Sequence, residues 1–430
     1  MVVSRTGWLW GFGASAWSIR RSSSIACLAA VLSLWGAVAD TLAADLLVSD
    51  RLTNRILRYD ASGTLLGTVV EDSVNLAEPN GMALSPDGTQ LYVASRQNSQ
   101  VVRYDFDGTK ATNPQVFATG GLSVPASVEF APGGQKILVS NLGLQFDGTT
   151  VAQLNLDGSS AGPAFSGGLP VGRTGIAIGP QGEIFVGSFQ DGSILRLDTR
   201  TQTLLPFVAG SPATVGLGNL MTNGEDIYAV AGFGGLLMKF SALTGEPDPN
   251  WVPISGLEFP ASLSLSPDGN GLLVGVLGFS PGAGKILRYG FDGKLVGTFA
   301  TSQPGNPALG FVEATGMLVS PALRQPLICG DTDADRDVDS SDLATFISNW
   351  TGSDPGTARA PFFTGGDCDL DGDVDSADLA SFLENWTGAQ SAGRAMSAVA
   401  VPEPTSLLML GLGSSLAVLG AVRRAERRRV

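Results

Sequence analysis

The chain has 430 residues, 57 of them glycine, with 43% hydrophobic and 15% charged residues, a makeup that fits a globular protein of two or three domains and excludes a disordered one. Its 26 basic and 40 acidic residues leave a formal charge of -14, so it lacks the basic face that phosphate contact needs, and nucleic acid is excluded as a partner. Histidine is absent, which removes Ser-His-Asp and Cys-His nucleophile systems and the common zinc sites; an enzyme here would work with carboxylates, Lys, Tyr or a hard metal.

Residues 1–43 read as an export signal. Arg5, Arg20 and Arg21 precede the apolar run Ile25 to Trp35, which is too short for a stop-transfer helix and is succeeded by Ala37-Val38-Ala39 and Thr41-Leu42-Ala43. Cleavage is expected near Ala39 or Ala43. The Arg pair hints at twin-arginine export, but the residues after it lack the usual pattern and general secretion is favoured. A lipoprotein reading at Cys27 is disfavoured because the apolar run comes after that Cys instead of preceding it.

Residues 45–322 carry a strand-like phrase six times: Ile56-Leu57-Arg58-Tyr59-Asp60, then copies starting at Val101, Val151, Ile194, Leu237 and Ile286, spaced 43 to 50 residues apart. A β-rich segment such as Leu91-Tyr92-Val93-Ala94-Ser95 precedes each copy, often after a turn such as Ser85-Pro86-Asp87-Gly88 or Ser266-Pro267-Asp268-Gly269. Short strands with turns at this period predict propeller blades of four strands each. The first copy lacks an inner strand before Leu46, while Thr315 to Pro321 matches Asn80 to Pro86 in register. The tail strand is therefore expected to complete the first blade, giving six blades with velcro closure.

The phrases Val48 to Ile56 and Pro79 to Val93 resemble NHL-repeat and gluconolactonase-like six-bladed propellers. That resemblance implies one divalent metal at the channel mouth, held by Asn, Glu and Asp. Only Asn80 fits. Matching the blades sets Ala126, Thr174, Leu217, Ala261 and Thr315 at the equivalent places, with Glu78 or Glu313 able to lie close by. Asn80 is thus a candidate propeller ligand, although a turn residue ahead of a strand accounts for it as well. The recurrent Arg58, Arg103, Arg196, Lys239 and Arg288 read as blade-surface charges.

Residues 327–388 contain a doublet. Asp331, Asp333, Asp335, Asp337, Asp339 and Asp342 are echoed by Asp367, Asp369, Asp371, Asp373, Asp375 and Asp378. Carboxylates at positions 1, 3, 5, 9 and 12 of a twelve-residue loop surround one point, as a hard cation with six to eight oxygen ligands requires, and the cation expected is Ca2+ at two structural sites. Position 7 contributes a backbone carbonyl, and Val338 or Val374 faces the core. Gly372 supplies the positive φ of position 6, whereas Arg336 does not, so the first site is expected to be the weaker. An apolar comb comes after each loop, Leu343, Phe346, Ile347, Trp350 and Leu379, Phe382, Leu383, Trp386, with helical spacing. A loop and one helix, duplicated, resembles the type I dockerin domain. The resemblance implies a cohesin-like partner met by loop positions 10 and 11, here Ser340, Ser341, Ser376 and Ala377. Once the signal is removed, Cys329 and Cys368 remain, a candidate disulfide stapling the two halves.

A linker, 389–400, leads to residues 401–430: Val401-Pro402-Glu403-Pro404, an uncharged stretch from Thr405 to Val422, then an Arg cluster. The apolar stretch can just span a bilayer with the Arg cluster cytoplasmic. Pro402, Glu403 and Pro404 in this order resemble the PEP-CTERM sorting signal, which implies transient inner-membrane attachment, removal by an exosortase, and a surface or extracellular destination in a Gram-negative bacterium. A plain single-pass anchor is the alternative.

The expectation is a mainly β, six-bladed propeller with a small helical, EF-hand-like domain and a C-terminal transmembrane sorting helix. The expected function is binding: a propeller face for an unknown carbohydrate or protein, carried with a calcium-dependent docking module. The rival is a metal-dependent propeller enzyme of lactonase or polysaccharide-lyase type, which requires three or more convergent Asp, Glu or Asn side chains at the channel mouth. A third possibility is a calcium-dependent spacer without a partner.

Overall fold

The computed structural model of the chain describes residues 44–167, 172–278, 280, 282–303, 305–306, 310–320, 327–332, 337–352 and 363–387. The expected export signal, Asp333, Asp335 and Arg336 of the first acidic loop, and the sorting segment with Pro402, Glu403 and Pro404 lie outside these residues. Among the described residues, no helix is long and apolar enough to cross a membrane.

Among the described residues, twenty-two strands form six antiparallel sheets. Blade 1 contains β1 (Asp45–Asp50), β2 (Arg55–Tyr59) and β3 (Leu65–Glu71). Blade 2 is β4 (Pro79–Leu84), β5 (Gln90–Ser95), β6 (Gln100–Phe106) and β7 (Ala111–Ala118). Blade 3 is β8 (Pro125–Phe130), β9 (Lys136–Asn141) and β10 (Val151–Asn155). Blade 4 is β11 (Arg173–Ile178), β12 (Ile184–Ser188), β13 (Ile194–Asp198) and β14 (Thr203–Val208). Blade 5 is β15 (Leu217–Thr222), β16 (Asp226–Ala231) and β17 (Leu236–Ser241). Blade 6 is β18 (Pro260–Leu265), β19 (Gly271–Val276), β20 (Lys285–Gly290) and β21 (Leu295–Thr301). The last strand, β22 (Ala314–Ser320), returns to blade 1 and pairs with β1, Leu46 opposite Val319 and Val48 opposite Met317. The molecule is a six-bladed propeller closed by this pairing.

The sequence expectation of four strands per blade needs one correction. Among the described residues, blades 3 and 5 have three strands each, and isolated bridges, Val151 with Phe165 and Leu237 with Ile254, stand where an outer strand would lie. Outer strands contribute least to the core: β7 is exposed along most of its length and carries Pro114, which cannot donate to a ladder. The second strands are the opposite case. β5, β9, β12, β16 and β19 are buried on almost every residue, which is why they read as continuous apolar runs and not as alternating ones.

Each apolar cluster is shared between neighbours. Val48 and Leu57 of blade 1 pack with Leu273 and Ile286 of blade 6, while Leu47 and Ile56 pack with Leu91 and Val93 of blade 2. The same arrangement continues around the ring. Turn chemistry repeats too: the Ser85 hydroxyl donates to Asp87 and the Ser266 hydroxyl to Asp268, each at 2.6 Å, closing two copies of the Ser-Pro-Asp-Gly turn. The recurrent third-strand cations pair mostly within their own blades, Lys239 with Asp226 and Asp248, Arg288 with Asp268, and Arg103 and Arg196 over Phe117 and Phe207, while Arg58 pairs with Asp45 and also donates to the Gly108 carbonyl of blade 2.

Inner strands begin alike. The carbonyl just before each one accepts from the amide just beyond the second strand of its blade: Glu313 from Arg51, Glu78 from Arg96, Val124 from Leu142, Gly172 from Phe189, Gly216 from Gly232 and Phe259 from Leu277. Six equivalent bonds thus mark one rim of the channel. The ladder also corrects the blade 5 alignment. Leu217 pairs as Pro79 and Pro260 do, so Gly218, not Leu217, stands at the place of Asn80.

At the closure, Gly316 lies against the Asn80 carbonyl, which a Cβ would overlap, and Ser49 donates to that same carbonyl at 2.8 Å. Gly316→Val is therefore expected to destabilise the ring by about 1–3 kcal/mol, the usual cost of overpacking. Urea unfolding followed by far-ultraviolet circular dichroism checks this, with an unchanged midpoint counting against the assigned closure.

Candidate metal centre

The two acidic loops each run into a short helix, α1 (Ser340–Ser348) and α2 (Ser376–Glu384). Asp339 and Asp375, at loop position 9, are the N-caps. Each forms a capping box with the Asp three residues on, satisfying amides that the first turn would otherwise leave open. The same position-12 Asp reaches the start of its loop: Asp342 accepts from the Thr332 amide and Asp378 from the Cys368 amide, both at 2.7 Å. One carboxylate therefore closes each loop end to end.

The repeats face each other across an approximate two-fold. Val338 and Val374 are fully buried, and Phe346 and Phe382 meet with ring centroids 4.4 Å apart. After each helix the chain crosses to the other loop, the Thr351 amide donating to the Val374 carbonyl and the Thr387 amide to the Val338 carbonyl, both at 3.0 Å. Asn349 and Asn385 act as C-caps, and their side chains donate to the Gly365 and Cys329 carbonyls. Sequence reasoning missed these cross-bonds, although a repeated Asn-Trp-Thr-Gly at 349 and 385 was the available signal. It also overextended the helices: Trp350 and Trp386 lie beyond the caps, and Leu383 is exposed.

Carboxylate oxygens converge in three groups: Asp337, Asp339 and Asp342 in the first loop; Asp367, Asp369 and Asp371, and separately Asp373, Asp375 and Asp378, in the second. Asp331 is buried beside its loop. The second loop wraps Asp367, which accepts from the amides of Asp371 and Gly372 at 3.0 and 3.1 Å. Crowding has an electrostatic consequence. Burial, then the charge of Asp378 and that of Asp371, pushes Asp367 up to about 8. Burial and the neighbouring aspartates push Asp373 up to about 6, and burial leads the rise of Asp378 to about 6. One Asp373 oxygen is buried without a hydrogen-bond partner. The donor set is all oxygen and anionic, with Lys136 near Asp369, and it fits a hard divalent cation.

The second loop is also held by the propeller. Phe363, Leu370 and Cys329 join the apolar cluster between blades 3 and 4. Gln202 donates to the Leu370 carbonyl at 2.7 Å, the Thr199 hydroxyl donates to Asp367, and the Thr364 amide donates to the Gln181 carbonyl. Gly372 has φ +95°, and the Arg200 backbone comes so close that a Cβ there would overlap it. A disulfide joins Cys329 to Cys368, Cα atoms 5.5 Å apart, and closing a 39-residue separation is worth about 4 kcal/mol in the chain-entropy account. Ser340, Ser341, Ser376 and Ala377 remain exposed. Asn80 is half-buried on β4 at the other face of the ring, and none of the convergent carboxylate groups among the described residues involves it.

Residues 400–428 match the PEP-CTERM protein-sorting motif, which marks an exported, surface-sorted protein and is consistent with processing by an exosortase. A search of curated proteins returns no match. Among solved structures, a chain of a nidogen–laminin complex aligns with TM-score 0.50 and 14% identity over 64% of this chain and 98% of that one. A Bacteroides uniformis protein provisionally designated a 6-phosphogluconolactonase aligns with TM-score 0.45 and 21% identity over 61% and 82% of the two chains. Virginiamycin B lyase from Staphylococcus aureus gives 0.43 and 15% over 58% and 79%. At these identities the likeness concerns the fold alone.

Two outcomes are expected. Without divalent cations, carboxyls whose folded values lie above the ordinary 3.8 make the native state bind more protons than the unfolded one, so stability falls as pH rises from about 4 through the raised values of 6 to 8. Adding Ca2+ reverses this slope, because protons then compete with the ion; thermal melts at pH 5 and 8, with chelator or with Ca2+, read both signs. Gly372→Ala both occupies a left-handed position and presses on Arg200, and is expected to detach the second loop. Limited proteolysis of full-length protein would reveal this as faster cleavage between residues 363 and 387.

Proposed function

We propose that this is an exported binding protein in which the propeller presents a ligand face and the paired acidic loops form a Ca2+-dependent docking module of the dockerin type, fitted to a cohesin-like partner. The observation that carries the reading is the repeated closure of each loop by its position-12 aspartate, with carboxylate oxygens converging in groups of three. Two ions, one per loop, would be ligated by Asp331, Asp333, Asp335, Asp337, Asp339 and Asp342 and by Asp367, Asp369, Asp371, Asp373, Asp375 and Asp378. Their role is structural: they neutralise the loops and fix the two helix starts. Ser340, Ser341, Ser376 and Ala377, exposed at those starts, are the docking positions.

In this reading the module is not a free tether. Its second half is anchored to blades 3 and 4, which supports a fixed presentation of the docking surface over a loose spacer. Two of the carboxylates just before inner strands, Glu313 and Glu78, are ion-paired to Arg51, which disfavours their serving as ligands of a lactonase-type metal. Exosortase removal of residues 401–430 would then release the protein from the inner membrane of a Gram-negative cell.

The test is a pull-down with immobilised full-length protein from its own secretome, in Ca2+ and in chelator. A specific partner retained only with Ca2+, and lost in Ser340→Asp/Ser341→Asp, is expected. A partner equally retained by chelated protein and by that variant would refute docking.

A further inference from the structure

The rim marked by the six equivalent bonds is chemically divided. On blades 1 and 2 it gathers Arg51 and Arg96 with Glu313 and Glu78, beside the Asp50–Arg55 ion pair. Arg51 bridges Glu313 at 2.5 Å and Glu78 at 3.7 Å. Arg96 stands beside Glu78 and Arg51, half-buried, and burial lowers its affinity for its proton. Its guanidinium forms no hydrogen bond or ion pair with the described residues. Four donors and acceptors are thus gathered without net charge.

On blades 3 to 6 the same rim is aromatic. Phe146, from the turn after β9, stacks on Phe189 after β12 at 4.6 Å and 12°. Phe189 meets Phe233, between β16 and β17, edge to face at 5.7 Å, and Phe233 meets Phe259, just before β18, in the same way at 5.3 Å. Four blades therefore contribute one continuous arc of rings. Phe233 is 65% exposed and Phe146 39%, and such an arc, with Leu144 also exposed, is an apolar surface that a soluble protein does not display without use. Phe146 moreover holds left-handed backbone, φ +58°, a conformation costly for a bulky residue and kept only where the surrounding structure enforces it, whereas the same conformation at Phe259 recurs before other inner strands, at Glu78 and Val124, and belongs to the blade geometry.

We propose that this rim is a carbohydrate-binding site for an uncharged hexopyranose chain, an inference that rests on reading the propeller as a ligand face and names its ligand. The axial C–H faces of a pyranose are apolar and flat enough to lie on Phe233 and Phe146. Its hydroxyls accept from Arg96 and donate to the Glu78 and Glu313 carboxylates. Asp147, Asp191 and Glu258, in the same rim loops as the phenylalanines, add negative charge to the paired cluster, which disfavours an anionic sugar and leaves neutral units as the match. A protein partner fits less well, because a stable protein interface needs roughly 800 Å² per side, more than the exposed parts of four phenylalanine rings present. Rings fixed by one another and by their backbone lose little freedom when a ligand arrives, so a modest contact area suffices.

The experiment uses full-length protein in Ca2+, titrated against soluble neutral hexans, N-acetylated hexosamine polymers and uronate polymers by affinity electrophoresis and calorimetry. Binding of a neutral hexan is expected, weakened about tenfold by Phe233→Ala and retained by Phe233→Trp. Arg96→Ala should weaken it as well, and thermal melts of all three variants, each folded well above the assay temperature, show that the loss of binding is not a loss of fold. Neutral glycan binding that ignores Phe233 and Arg96 overturns the site. Preference for uronate polymers overturns the neutral-ligand assignment. If no glycan binds, the inference fails, and capture of a polypeptide that Phe233→Ala abolishes would leave the ligand-face reading standing while overturning the carbohydrate. The calcium-dependent pull-down reads the opposite end of the molecule and is unaffected by any of these results.

Discussion

No blade of this propeller owns a core. Every apolar cluster is shared by two neighbouring sheets, so each blade is stable only while both neighbours are present, and the array must close on itself. The β22 to β1 ladder supplies that closure and removes the two edges that an open array would expose. Everything else is positioned by it. The even spacing of inner strands sets the rim, and the shared cluster between blades 3 and 4 provides the apolar seat into which Phe363 and Leu370 insert.

The second determinant is charge crowding. Apolar packing alone does not explain why aspartate recurs at alternate positions of two loops, since clustered carboxylates oppose folding. Their raised proton affinities express that opposition. A loop of this kind is stable only with compensation from protons, from amides such as those of Asp371 and Gly372, or from a cation. The propeller adds a fourth source, the Thr199 hydroxyl, for the second loop. The near two-fold symmetry of the module is therefore broken by its environment: one loop shares its first carboxylate with a blade.

How much of this could be read in advance depended on whether a signal was local. The six-fold phrase and the Ser-Pro-Asp-Gly turns made blade number and closure legible, because a four-stranded meander repeats its own sequence pattern. The three-stranded blades were not legible, since outer strands are exposed and their residues are weakly constrained. Gly218 was misplaced by one residue because the register shift at each inner strand is a pairing property and carries no residue of its own. Loop positions 9 and 12 were legible as repeated aspartates, yet their service as caps and loop closers appeared only in the hydrogen bonds.

The chain order by itself determined the repeat count, the closing strand, the duplicated acidic loops and the sorting motif, because each is written in residues adjacent along the backbone. Tertiary structure alone decided which loop the propeller holds, how the two repeats exchange Thr351 and Thr387, and that four phenylalanines from four blades form one arc opposite an arginine–glutamate cluster. Those residues are separated by up to 113 positions, from Phe146 to Phe259, and no periodicity links them. They meet because ring closure brings the same point of every blade to one rim, and a circle has neighbours that a line does not.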